Sequence, residues 1–225
     1  MAWSAFRLKE KRSELIEVLE RYDIDILLVS ETFLKPGHKF ALPGYSVCRV
    51  DRLRTKGGDT LNAMRSHLRH VYPEPPEMTS LEAAVAVVEV RAVGPIRVFS
   101  TYAPPSRPFS ADNYQSIFSY DEPTLVIGDL NAKHPFWGCR VSNGFGKHLL
   151  QFLNGCDVRV HAPEETTYFS ANFRPDILDI ALSRGLTSVR ISAPTSLTSL
   201  CRGVCSAGTW SKASTSSRLT TTPYW

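Results

Sequence analysis

Residues 185–225 contain no acidic residue, although the chain carries 22 of them. Seventeen serines and threonines and four basic residues occupy that stretch, with no strong period of two or of 3.6 running through it. Composition of this kind does not usually pack a core, and an out-of-frame or wrongly spliced end has the same signature. The expected division is a truncated domain over 1–184 and a Ser/Thr-rich, disordered tail over 185–225. Long apolar runs are missing too. No stretch can span a bilayer and the first residues lack a signal-peptide core, so the expectation is a soluble protein with no membrane partner. Cysteine is sparse and odd in count, at Cys48, Cys139, Cys156, Cys201 and Cys205. Cys201 and Cys205 are four apart without a second ligand pair, which argues against zinc. Reduced thiols in an intracellular protein fit best. Neither charge sign dominates: a net charge of +4 permits a polyanionic partner without requiring one.

What is present reads as one α/β domain, since 225 residues suffice for one sizeable core. The spacing in KEKRSELIEVLERY (9–22) predicts an amphipathic helix. DIDILLVSETFL (23–34) follows as a buried strand, Ile24 to Val29, ending at Ser30-Glu31-Thr32. A carboxylate at the carboxyl end of a buried strand is where open α/β sheets place their chemistry, although Glu31 could equally cap a turn. A loop and short strand fill 35–50. Residues 54–70 are rich in Arg, Lys and His; they could face phosphates, but such a run is more often a solvated face. SLEAAVAVVEVRA (80–92) and PIRVFSTYAPPS (95–106) read as consecutive strands, the second leaving Tyr102 at its lip. Residues 107–123 are a polar helix or loop.

The chain is organised around TLVIGDLNAKHPFWG (124–138), an apolar run that reaches Gly128-Asp129 and then Asn131. If the extended form persists, Asp129 and Asn131 project from one side. A carboxylate can orient or deprotonate water, and an amide can hold a phosphate oxygen without adding negative charge. An Asp-Asn turn capping the strand is the plainer reading of the pair alone. The loop 134–146 carries Trp137, Arg140 and Asn143, a helix is expected over Lys147–Leu153, and a short strand over Val158–His161. Ile177 to Leu182 reads as an apolar strand with Asp179 in its middle, where an acid is costly unless paired or functional.

Glu31 in ILLVSETFL, Tyr102 in FSTYAPP, GDLNAKHPFWGCR (128–140), Thr167-Tyr168-Phe169 and RPDILDIAL (174–182) occur in the order of a known family. Over residues 3–184 the chain resembles the endonuclease domain of jockey-type non-LTR retrotransposons, DNase I-like members of the endonuclease/exonuclease/phosphatase superfamily. The resemblance implies a four-layered α/β sandwich of two mostly antiparallel sheets flanked by helices. It implies nicking of DNA with a divalent metal, usually magnesium, to prime reverse transcription, in the nucleus, by a domain that works with a reverse transcriptase absent from this chain. By the same resemblance Glu31 matches the metal-binding glutamate and Tyr102 the phosphate-contacting tyrosine. Asp129 matches the acid that activates water, Asn131 the amide that steadies the transition state, and Thr167 and Asp179 the supporting residues. A monomer is expected.

The chain departs from the family pattern in three places. Ser4 stands where the family has a metal-holding Asn, and the strand before it is expected to be missing. No histidine follows His161, so the closing Ser-Asp-His is absent. Residues 53–66 are expected to lack the apolar strand that follows the glycines. These departures keep two further readings open: a catalytically dead, decayed copy that at most binds DNA, and a superfamily phosphatase acting on a small phosphate ester.

Overall fold

A three-residue strand, β1 (Ala2–Ser4), opens the chain. After a 3-10 turn over Leu8–Lys11 come α1 (Arg12–Arg21), β2 (Ile26–Ser30), β3 (Tyr45–Val50), β4 (Thr60–Arg65) and β5 (His70–Val71). The central part comprises β6 (Glu82–Val90), β7 (Gly94–Tyr102), α2 (Ala111–Ile117) and β8 (Thr124–Asp129). A 3-10 turn at Pro135–Trp137 leads to α3 (Gly144–Leu153), β9 (Arg159–His161), β10 (Tyr168–Ser170), β11 (Phe173–Asp176) and β12 (Asp179–Arg184). This computed structural model describes residues 1–186 apart from 6, 53–57, 92, 164–165 and 171–172. The tail expected from 185 onward lies outside the described residues after 186.

Two sheets result, with strand orders β1-β2-β4-β3 and β5-β6-β7-β8-β12-β9, and β10 and β11 form a separate hairpin. Pairing is antiparallel except for β1 with β2 and β7 with β8. Period-two alternation explains the layering. In β2 and β4, Leu27, Val29, Leu61 and Ala63 face the core that α1 closes with Leu15 and Leu19. Leu28 and Met64 turn the other way, into the core shared with Val85 and Phe99 of the second sheet. Tyr114 and Ile117 of α2 and Leu149 and Leu153 of α3 belong to that core as well. Each fully buried Leu or Ile contributes about 2 kcal/mol over an exposed one. Helix, sheet, sheet and helix give the four layers expected.

The structure corrects several local expectations. The basic segment 54–70 is not without a strand, although its His67 and Arg69 are exposed as expected of a solvated face. Its Thr60–Met64 are buried as β4, in the middle of the first sheet. Asn62 is tolerated there because its side-chain nitrogen donates to Ala84 O across the sandwich at 3.0 Å. The opening strand is short rather than missing: Ala2, Trp3 and Ser4 pair in parallel with Leu28, Val29 and Ser30. Asp179 begins β12 instead of lying inside it, with Ile177 and Leu178 in the preceding loop. Helix α3 starts at Gly144, earlier than apolar spacing implies, because Asn143 caps it.

Candidate active site

Strand register assembles one side of the site. Glu82 of β6 pairs with Tyr102 of β7, Tyr102 with Asp129 of β8, and Asp129 with Asp179 of β12. Directly paired residues share a face, so four polar side chains form a row at one end of the second sheet. Gly128 makes the close approach possible: a Cβ there would lie 1.8 Å from the Thr101 carbonyl oxygen. Opposite the row, Glu31 follows the last residue of β2 in the first sheet. Its left-handed backbone (φ +54°) is a conformation that L residues adopt at a cost, and such strain clusters at functional sites.

The carboxylates sense one another. Burial pushes Asp129 well above the ordinary carboxylate range, and the nearby Asp179 and Glu31 push it further. Burial raises Asp179 to about 7; the Thr167 hydroxyl opposes the rise and Glu31 adds to it. Glu31 is raised by burial against the Ser4 hydroxyl, the Tyr102 hydroxyl and the Arg52 guanidinium. Burial, with Glu31 and Asp129 nearby, also holds the Tyr102 phenol protonated. Three half-compensated acids around one end of a sandwich are the signature of a site rather than of a core.

Around the acids the backbone is fixed by specific hydrogen bonds. The Ser4 hydroxyl donates to Glu31 Oε2 at 3.1 Å. Asn131 N–H donates to Asp129 Oδ1 at 2.9 Å, and its side-chain amide donates to Ala103 O at 3.0 Å. Asn131 has φ +47°, so the extended path expected through Asp129-Leu130-Asn131 breaks down; a turn, not a strand, brings the amide back beside the acid. Thr167 Oγ1 accepts from both Leu178 N–H (2.9 Å) and Asp179 N–H (3.0 Å), setting the start of β12. Thus Glu31, Tyr102, Asp129, Asn131, Thr167 and Asp179 are linked by pairing, hydrogen bonding or charge.

Sequence reading missed two members. Glu82 accepts from Arg52 Nε through one oxygen and from Asp59 N–H (2.8 Å) through the other, and Arg107 reaches it at 3.1 Å. Arg52 so held lies over the Tyr102 ring, 5.6 Å from its centroid. The signal was available in Glu82, an acid inside the apolar run LEAAVAV, the same anomaly that marks Asp179.

Among the described residues no group of three or more His, Cys, Asp or Glu side chains is placed to hold a metal ion. The donors present are carboxylate and amide oxygens, the hard ligands that divalent cations take, with water completing the shell.

A sandwich of this topology, with acids at the adjoining strand ends, has a DNase I-like fold. The endonuclease domain of TRAS1, a telomere-specific non-LTR retrotransposon, superposes with a TM-score of 0.65 at 18% identity, over 80% of this chain and 82% of that one. The catalytic domain of Xenopus laevis APE2 gives 0.61 at 13% identity, over 82% and 81%. A family model described as endonuclease-reverse transcriptase matches residues 96–199. The RNA-directed DNA polymerase from the mobile element jockey of Drosophila melanogaster is 30% identical over 198 residues, 86% of this chain. The chain is similar to that polymerase over the matched stretch and spans about a fifth (21%) of its length.

Proposed function

We propose that this chain is a metal-dependent DNA endonuclease domain that hydrolyses a phosphodiester to leave a nick, from which an associated reverse transcriptase would be primed. The observation that supports this most is the row Tyr102–Asp129–Asp179 facing Glu31 across the two sheets. Glu31 would hold a magnesium ion, whose chemistry is to neutralise charge on the phosphate. Asp129 has one oxygen occupied by Asn131 N–H and the other available to orient a water and accept its proton. Its raised affinity for protons makes it a stronger acceptor for that proton than an ordinary carboxylate. Asn131 spends one amide hydrogen on Ala103 O and retains a second for a phosphoryl oxygen. Tyr102, kept protonated, donates to the same phosphate. Asp179 and Thr167 hold the far side of the row.

Turnover is expected to be slow, because the sequence has no histidine after His161 and His161 itself is engaged with Ser183 Oγ at 2.7 Å. Incubation of supercoiled plasmid with purified protein tests the proposal. Weak, magnesium-dependent conversion to open circles is expected, reduced about a hundredfold or more in Asp129→Ala. Nicking indifferent to chelator and to Asp129→Ala would refute it, and no nicking above buffer would refute it and favour a remnant that only binds DNA.

A further inference from the structure

β8 ends at Asp129, and after Leu130 N–H, which donates to Leu178 O at 3.2 Å, the chain leaves the sheet at Asn131. Asn143, twelve residues later, holds this segment at both ends. Its side-chain nitrogen donates to Asn131 O at 2.8 Å. Its side-chain oxygen accepts from Lys133 N–H at 3.0 Å, and its own N–H donates to Lys133 O, also at 3.0 Å. That same side-chain oxygen accepts from Gly146 N–H at 2.8 Å and caps α3. The helix is pressed directly on the loop: a Cβ on Gly146 would lie 1.9 Å from Lys133 O.

We propose that Asn143 is a positioning residue for the reaction, fixing the left-handed backbone of Asn131 so that its N–H and side-chain amide stay on Asp129 and the substrate phosphate. The proposal rests on the endonuclease reading. Capping alone does not require asparagine, because Ser or Asp caps a helix equally well. Only the donation to Asn131 O needs the amide nitrogen. The two roles of one side chain can therefore be separated by substitution.

Asn143→Asp and Asn143→Ser keep an oxygen for the cap and lose the donor; Asn143→Ala loses both. All three are compared with wild type in thermal melting, in steady-state nicking with magnesium, and in amide hydrogen exchange. Asn143→Asp is expected to melt within a few degrees of wild type and to leave KM for DNA within twofold. Its kcat should fall tenfold or more, and exchange at Asn131 N–H should speed up. Wild-type kcat and unchanged Asn131 exchange in Asn143→Asp would overturn the proposal, as would losses of kcat that merely track loss of melting temperature across the series. If the wild-type chain does not nick, the endonuclease reading fails, and the exchange rate at Asn131 alone decides: faster exchange in Asn143→Asp supports positioning, unchanged exchange overturns it.

Discussion

Asp179 shows what single residues contribute at this site. Its carboxyl is raised from 3.8 to about 7 in the folded chain, chiefly by burial. The folded state therefore holds a proton that the unfolded chain releases near 3.8. Stability of the metal-free protein should fall as pH rises from about 4 to about 7, and the loss should be complete above that. Asp179→Asn should flatten this slope, leaving the part that Asp129 and Glu31 contribute, and at pH 8 without metal it should melt higher than wild type while nicking far more slowly. Parallel melting curves for the two proteins across that range would contradict the assignment. Asp179 was legible in the sequence because an acid amid Ile177, Leu178 and Ile180 has no cheap structural explanation. Asn131 was legible by type but not by path, since a two-residue spacing cannot reveal φ +47°. Ser4 reads as a departure in the sequence, yet in the fold its hydroxyl meets Glu31.

Elements obey a different constraint, namely how closely strands approach. Gly128→Ala places a methyl group 1.8 Å from the Thr101 carbonyl oxygen, against backbone atoms with no flexible side chain to yield. We expect a loss of about 3 kcal/mol in denaturant unfolding, with activity falling further than stability because Asp129 is the adjacent residue. A shift under 1 kcal/mol would show that the sheet can widen there. At this scale β2, β6, β7 and β8 were readable from apolar runs alone. β4 was not, because Asn62 interrupts its apolar pattern within a stretch rich in Arg, Lys and His. What makes β4 a strand is backbone pairing with β2 and β3 on either side, with the Ala84 carbonyl satisfying Asn62, and no local window contains that information. The start of α3 was hidden for a similar reason, since its cap also serves the loop before it.

Taken whole, the molecule brings Glu31, Asp129 and Asp179 together from two sheets, and folding without a cation leaves their mutual repulsion standing. Anything that binds only the folded chain and relieves that repulsion stabilises it by mass action. Millimolar magnesium should raise the melting temperature of wild type at pH 8 and should raise that of Glu31→Gln much less. An equal rise in both would move the ion away from Glu31. The two-sheet frame and the order of its acids were visible from the linear chain, because GDLNAKH and LDIAL carry a family's pattern. The Arg52–Glu82 contact was not, because those residues are thirty positions apart and meet only across the sandwich.

The row Glu82, Tyr102, Asp129 and Asp179 exists only while three neighbouring ladders keep their alignment. Sliding β12 by a single position would turn Asp179 toward the helical layer and bring Ile180 opposite Asp129. Such a molecule could be soluble, well ordered by spectroscopy and wholly inert. Specific activity would then gauge how many chains in a batch found the correct alignment while folding, a quantity that neither purity on a gel nor secondary-structure content can report.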